Sequence, residues 1–354
     1  MQIHKAALIG LGALGIMYAE LLKKALGKEN VRVVADRERI MRYQGEGIYC
    51  NGALCEFQYV LPEQDTGPAD LLLFTVKFGG LHSAIKAAQR QVGEHTLILS
   101  AVNGIDSEEL LAKAYGEEHV LYCVAQAMDA VREHNRVRYI SSGQLCFGEK
   151  EPGPLSERVK AVSDFFEQAG IGHKAVTDIR HHQWGKLMAN VGLNQVTALT
   201  DPGTYSVVQK EGPARARMIS AMREVQAVAE AEGMRLGEQD MDYWLGVIDR
   251  LNPLGKTSMR QDVEAGRRTE VELFAGTVLR LGRKHGIDVL LMSSWKERFC
   301  VWHRMPCSKH KHCRARVKSE FNGSAYQASF VKGYCSFCKG SCCFLSIKKF
   351  CYSE

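Results

Sequence analysis

The sequence predicts an α/β amino-terminal domain built on a doubly wound parallel sheet, followed by an all-α carboxyl-terminal domain. Three observations carry this expectation. Over residues 1–125, short apolar runs alternate with helical patterns, as strands and crossover helices do in a parallel sheet. The first run, Ala6 to Ile9, leads at once into Gly10-Leu11-Gly12-Ala13-Leu14-Gly15 and then a helical pattern to about Leu26. From Arg180 to Gly286 the pattern is nearly all helical.

Strand, glycines, helix is the order that a dinucleotide site needs. Gly10 permits the tight turn, Gly12 lets backbone approach a pyrophosphate, and Gly15 lets the helix pack close to the strand. The helix N-terminus then faces the phosphates. Gly10, Leu11, Gly12, Ala13, Leu14 and Gly15 are therefore candidate cofactor-binding residues of a Rossmann-type domain. The further strands expected are Val31–Ala35, Leu71–Val76, Thr96–Ala101 and Val120–Val124. Between the second and third, residues 47–52 with the following Cys55–Leu61 read as a hairpin around Asn51-Gly52. Residues 137–149 add strand-like material, and Leu155–Gln168 reads as a helix. Within the helical region, breaks fall at Asp201-Pro202-Gly203, Glu232-Gly233 and Asn252-Pro253-Leu254-Gly255. The expected division is 1–178 for the dinucleotide domain, 179–289 for the helical substrate domain, and 290–354 for a tail.

A chain of 354 residues has room for about two domains. No segment reaches the ~18 uninterrupted apolar residues of a membrane span, and the early apolar run lacks a signal-peptide cleavage site, so a cytoplasmic protein is expected. The net charge of +6 conceals an asymmetry. Of 46 Lys+Arg and 40 Asp+Glu, residues 290–354 hold 12 and 3, leaving 34 and 37 in residues 1–289. The body is mildly acidic and only the tail is basic, which argues against nucleic acid as a partner. Cysteine is distributed the same way: Cys50, Cys55, Cys123 and Cys146 are scattered in the body, and eight lie within the last 55 residues.

Candidate site residues gather at strand ends, where ligands bind open α/β sheets. Asp36 follows the second strand, where a carboxylate holds the ribose hydroxyls of NAD; Arg37 beside it suits the 2′-phosphate of NADP. Lys77 ends the third strand and Asn103 the fourth; Lys77 reads equally as a phosphate contact or a solvated loop lysine. In the helical domain Lys186, Asn190 and Asn194 recur every four residues, offset by ~40°, and so share one helix face. They suit a site that holds a carboxylate or hydroxyl and supplies a proton, or else a solvated face. A third cluster is Thr257 to Asp262 followed by Arg267-Arg268-Thr269-Glu270, with Ser258 expected in a loop and Glu270 two turns into the last helix. Taken alone, Glu270 reads as a surface carboxylate.

Together these clusters resemble the ketopantoate reductase (2-dehydropantoate 2-reductase) family. The resemblance runs from the glycine fingerprint to about Ile287. Its most specific parts are Trp184-Gly185-Lys186-Leu187-Met188-Ala189-Asn190 with Asn194, then Ser258-Met259-Arg260-Gln261-Asp262 and Arg267-Arg268-Thr269-Glu270. It implies NADPH-dependent reduction of ketopantoate to pantoate by a monomer or homodimer. Lys186 would be the general acid, and Glu270 would bind the substrate hydroxyl and position the lysine. Asn103, Asn190, Asn194 and Ser258 would hold the 2-keto acid. Two positions depart from the family pattern. NADP-preferring members often carry arginine where this chain has Asp36, and a glutamine often found three residues after the lysine is here Gly80. NADP(H) is the expected cofactor, with NAD(H) as the alternative. The same scaffold also fits reduction of another 2-keto or 3-keto acid, or a non-catalytic dinucleotide-binding redox sensor, which would need no proton donor.

The family pattern continues past His285-Gly286-Ile287 with a Pro-x-Asn segment and a closing helix. Here Val289 to Arg298 are encodable as GTC CTG TTA ATG AGT TCC TGG AAA GAA AGG. Begun at the third base, that string reads Pro-Val-Asn-Glu-Phe-Leu-Glu-Arg-Lys, close to the expected ending. Residues 290–354 are accordingly expected to be an aberrant or disordered product of a frameshift. The competing reading is a metal-binding module around Cys335, Cys338, Cys342 and Cys343, or around Cys307, Cys313, His310 and His312. No second well-spaced pair completes a zinc ribbon, so no metal ligands are assigned.

Overall fold

The computed structural model describes residues 2–304. Among the described residues, twelve strands and twelve α-helices follow one another in two blocks. The first block runs β1 (Ala6–Ile9), α1 (Ala13–Leu26), β2 (Val31–Val34), α2 (Arg37–Glu46), β3 (Tyr49–Cys50), β4 (Ala53–Leu54), β5 (Gln58–Val60), β6 (Leu71–Phe74), α3 (Leu81–Ala88), β7 (Leu97–Ser100), α4 (Ser107–Tyr115), β8 (Val120–Gln126), β9 (Val131–Glu133), β10 (Arg136–Arg138), β11 (Gln144–Gly148), α5 (Glu157–Gln168) and β12 (His173–Ala175). The second is helical: α6 (Ile179–Leu199), α7 (Ser206–Gln209), α8 (Pro213–Ala231), α9 (Glu238–Asp249), α10 (Ser258–Glu264), a π-helical turn over Glu272–Gly276, α11 (Thr277–His285) and α12 (Leu290–Arg304). The α/β domain and the all-α domain that the sequence predicts are both present.

The main sheet has the order β12-β11-β8-β7-β6-β1-β2-β5. Strands β5 to β8 around β1 are parallel, while β11 runs antiparallel to β8. Central strands β1, β2, β6 and β7 are buried at every residue, because helices cover both faces. Their runs are apolar for that reason, apart from the buried Arg32 in β2 and Ser100 in β7, and that near-continuity made them legible. The Asn51-Gly52 turn exists, with φ of +47° and +88°, but its return arm is β4. Residues 58–60, expected to close that hairpin, instead leave it and pair in parallel with β2. A second small sheet, β4-β3-β10-β9, packs beside the first.

Around α6 the helical domain buries a core that includes Trp184, Leu187, Met188, Val191 and Val196, packed against α8 residues such as Met218, Met222 and Val225. Gly192 is small by necessity here: a Cβ would lie 2.9 Å from the Met218 carbonyl.

The structure corrects the expected boundary at 290. Helix α12 is built from the first residues of the supposed tail, and Met292, Trp295 and Phe299 join the helical core at 2% exposure or less. These three recur at helical spacing on one face, a stripe hidden by the charge average of the whole tail. Glu224 on α8 accepts from the Leu291 and Met292 N–H groups at 2.8 and 3.1 Å, satisfying the first turn of α12. The remaining tail cysteines from Cys307 onward, and the metal-binding alternative built on them, lie outside the described residues. No helix among the described residues is long and apolar enough to cross a membrane.

Candidate active site

The fingerprint turn shows why its glycines are needed. Gly10 has φ +102°, and a Cβ there would meet Val76 at 2.7 Å. A Cβ at Gly15 would lie 1.8 Å from the Gly10 carbonyl oxygen, so any side chain drives α1 off β1. Thr75 ties the turn down, its hydroxyl donating to the Ile9 and Gly10 carbonyls at 3.2 and 2.5 Å. Gly12 differs: the nearest atom to its Cβ position is the Thr75 oxygen at 3.7 Å. Packing within the protein does not demand glycine there, whereas a ligand resting on the backbone would. Helix α1 also has no side-chain cap, leaving first-turn N–H groups open toward the cleft. The turn therefore fits a dinucleotide pyrophosphate.

A cleft of about 700 Å³ opens from this turn. Gly12, Ala13 and Leu14 line one end, and Lys77, Asn103, Lys186, Ser258 and Glu270 line the other. Four elements place these groups. Lys77 and Asn103 follow β6 and β7 at their carboxyl ends, and Lys186 projects from the second turn of α6. Ser258 opens α10 as its first residue, not a loop residue as expected, because Thr257 caps that helix by accepting from the Arg260 N–H at 3.2 Å. Glu270 is not two turns into the last helix either. Gly266, with φ +68°, and the next three residues interrupt the helix, and Glu270 stands at the bend before the last helix begins. Its carbonyl starts the new helix, accepting from the Leu273 N–H at 3.0 Å.

Lys186 Nζ donates to Asn103 Oδ1 at 3.2 Å and also to the Ala125 carbonyl of β8. The Asn103 amide in turn donates to Glu270, which also accepts from the Phe78 N–H. Asn103 thus stands between the lysine and the carboxylate. Burial lowers the Lys186 pKa to about 8, against the neighbouring Cys123 and Cys146 thiols and Glu270, which favour its charge. Burial raises the Glu270 carboxyl above its usual range, opposed by Lys77. Across the cleft, Lys77 Nζ pairs with Asp262 Oδ2 at 2.8 Å, and Arg267 Nε holds the other oxygen at 2.8 Å.

Not every expected residue reaches this cleft. Asn190 and Asn194 lie one and two turns beyond Lys186 on the same face of α6, but off the cleft wall. Neither amide has a hydrogen-bond partner among the described residues. Asp36 and Arg37 also stand off the wall, at the end of β2; Asp36 caps α2 by accepting from the Arg39 N–H at 2.8 Å, and Arg37 is exposed. Sequence reasoning missed Arg132 and the Ala125 carbonyl. Arg132 Nη1 donates to the Leu11 carbonyl inside the fingerprint. Nothing local in Val131–Arg138 marks it; only pairing of β9 with β10 swings it over the turn.

A doubly wound sheet with a glycine fingerprint, capped by a helical domain that brings a half-buried lysine to the same cleft, defines a two-domain Rossmann-type oxidoreductase. The sequence pattern described as "Ketopantoate reductase PanE/ApbA" matches residues 6–152, and that described as "Ketopantoate reductase PanE/ApbA C terminal" matches residues 178–294. The 2-dehydropantoate 2-reductase of Halobacterium salinarum is 32% identical over 222 residues, 62% of this chain and 72% of that protein. The Archaeoglobus fulgidus enzyme of the same name is 27% identical over 290 residues, covering 81% and 94%. Among solved structures, 2-dehydropantoate 2-reductase from Geobacter metallireducens superposes with a TM-score of 0.71 at 25% identity, covering 84% of this chain and 98% of that one. D-mandelate dehydrogenase with NADH shares the fold at a TM-score of 0.75 and 20% identity, covering 84% and 98%. The chain belongs to the ketopantoate reductase family.

Proposed function

We propose that this protein reduces 2-dehydropantoate (ketopantoate) to pantoate with NADPH. The observation that carries the reading is Lys186, held at the cleft by Asn103 and the Ala125 carbonyl with its pKa lowered to about 8. A group with that pKa is charged at neutral pH yet gives up its proton readily. The names of the relatives support the substrate, and NADH in the D-mandelate dehydrogenase structure supports a nicotinamide cofactor.

A dihydronicotinamide held at the fingerprint turn would supply the hydride that C2 of the keto acid receives. The chain's own residues do the rest. The open N-terminus of α1 and Gly12 hold the pyrophosphate, while the exposed Arg37 at the end of β2 offers a cation for a 2′-phosphate. Lys186 stabilises the oxyanion that develops on the C2 oxygen and then donates its proton there. Glu270 binds the substrate hydroxyl and, through Asn103, fixes the lysine. Ser258 and Asn103, which line the cleft, hold the keto acid, whereas Asn190 and Asn194 stand off its wall. The test is oxidation of NADPH followed by its absorbance with ketopantoate as substrate. Rapid turnover supports the reading, whereas turnover only with a different keto acid replaces the substrate. KM values for NADPH and NADH decide the cofactor, because Asp36 and Arg37 pull in opposite directions.

A further inference from the structure

Beneath the cleft lies a polar network that the proposed chemistry does not use. Glu108, near the start of α4, has no exposed surface, and neither have Ser107 and Ser100. Glu108 Oε2 accepts from the Ser107 hydroxyl at 2.7 Å, and that hydroxyl accepts from Ser100 at 2.9 Å. Glu108 Oε1 accepts from the Cys123 N–H at 3.2 Å and from Gln183 Nε2 at 2.8 Å. Gln183 Nε2 donates a second bond, to the Cys123 carbonyl at 3.0 Å. Among the described residues no cation pairs with this carboxylate. A buried carboxylate is costly in an apolar layer and survives only where donors saturate it. Three donors from three different elements do so here.

The three segments joined at Glu108 are the three that deliver the groups around the candidate proton donor. Asn103 lies in the loop that enters α4, five residues before Glu108. Cys123 is on β8, two residues before Ala125, whose carbonyl receives the lysine. Gln183 is on α6, three residues before Lys186 and so on an adjoining part of the same helix face. We propose that Glu108 and Gln183 are positioning residues that lock α6 against β8 and the Asn103 loop, and so fix the Lys186 ammonium. A helix is stiff over one turn, so a shift at Gln183 arrives at Lys186 nearly undiminished. Displacement by about 1 Å is enough to cost on the order of 100-fold in rate. The dinucleotide turn is on β1 and α1, and none of its residues touches this network.

The inference rests on Lys186 being the proton donor, and the experiment separates the two claims. Gln183→Met keeps the volume and removes both donated bonds. It should lower kcat about 10–100-fold while the NADPH dissociation constant, read by nucleotide fluorescence without keto acid, stays within about twofold of wild type. Glu108→Gln keeps an oxygen toward Gln183 and the Cys123 N–H while Ser107 turns to accept from its amide, and it should retain most of kcat. Glu108→Leu should lose kcat as Gln183→Met does. If Gln183→Met fails to fold, the double variant Glu108→Gln, Gln183→Met removes the charge with its donor and carries the same expectation. Wild-type kcat in Gln183→Met, nucleotide affinity falling in step with kcat, or Glu108→Gln as damaged as Glu108→Leu would each overturn the positioning role. Should Lys186→Ala itself retain kcat, the failure belongs to the proposed function instead.

Discussion

At the scale of residues, Lys186 is governed by a contest between burial and nearby polar groups. Burial removes water from the ammonium and pulls its pKa down to about 8, while the Asn103 oxygen and Ala125 carbonyl keep the charged form hydrogen-bonded. Two outcomes follow. Lys186→Ala should lower kcat about 10²–10⁴-fold, the usual contribution of a positioned proton donor, as measured by steady-state NADPH oxidation. In the wild type, kcat for keto-acid reduction should fall as pH rises through about 8, since the donor must hold its proton. Oxidation of the hydroxy acid should rise over the same interval. Glu108 obeys the same physics with the opposite sign of charge. Burial raises its pKa from 4.5 to about 7, so the folded state binds a proton more tightly than the unfolded chain. The stability it contributes is complete below 4.5 and is lost as pH rises through about 7. Glu108→Gln should flatten that decline in a series of denaturant midpoints.

At the scale of elements, the β1–α1 turn shows how steric demands become a binding surface. Gly15→Ala places a methyl 1.8 Å from the Gly10 carbonyl, backbone that has no freedom to yield. The variant should lose NADPH affinity by more than ~10-fold in a fluorescence titration, with a lower melting temperature. Gly12→Ala is the informative contrast. The protein leaves room for that methyl, so its melting temperature should stay near wild type while nucleotide affinity falls. The fingerprint was legible in the sequence because the positive φ of Gly10 and the contact of Gly15 with the Gly10 carbonyl are local, even though Thr75 and Val76 crowd the turn from the end of β6. The stripe Lys186, Asn190, Asn194 was legible as a helix face for the same reason. Glu270 was misplaced because its bend depends on Gly266 and on contacts with the Phe78 N–H and Asn103 from the other domain. Periodicity alone runs the helix straight through it.

At the scale of the whole molecule, α12 completes the helical core. Trp295 is 2% exposed, and replacing it with alanine removes a large apolar side chain and leaves a cavity. Trp295→Ala should cost about 3–5 kcal/mol, seen as a reduced denaturant midpoint. Cutting the chain after residue 289 removes Met292, Trp295 and Phe299 together and should destabilise the helical domain more than any of the single changes. The domains also meet through charges: Lys77 with Asp262 at 2.8 Å, and Asp106 with Arg280 at 2.7 Å. Such pairs join residues some 170 to 185 positions apart, and no window of sequence reveals them.

By itself the sequence determined the α/β-then-α order, the dinucleotide turn, and the helix face that carries Lys186. Each depends on strand or helix periodicity, or on a steric need met by neighbours a few residues away. Tertiary structure alone decided that Asn103 joins Lys186 to Glu270, that Arg132 reaches the Leu11 carbonyl, and that Glu108 and Gln183 brace the lysine from below. It likewise decided that residues 290–304 extend the fold. Hydrogen bonds and burial at a site depend on distances in space, and those are fixed only once the sheet and the helical domain have packed against each other.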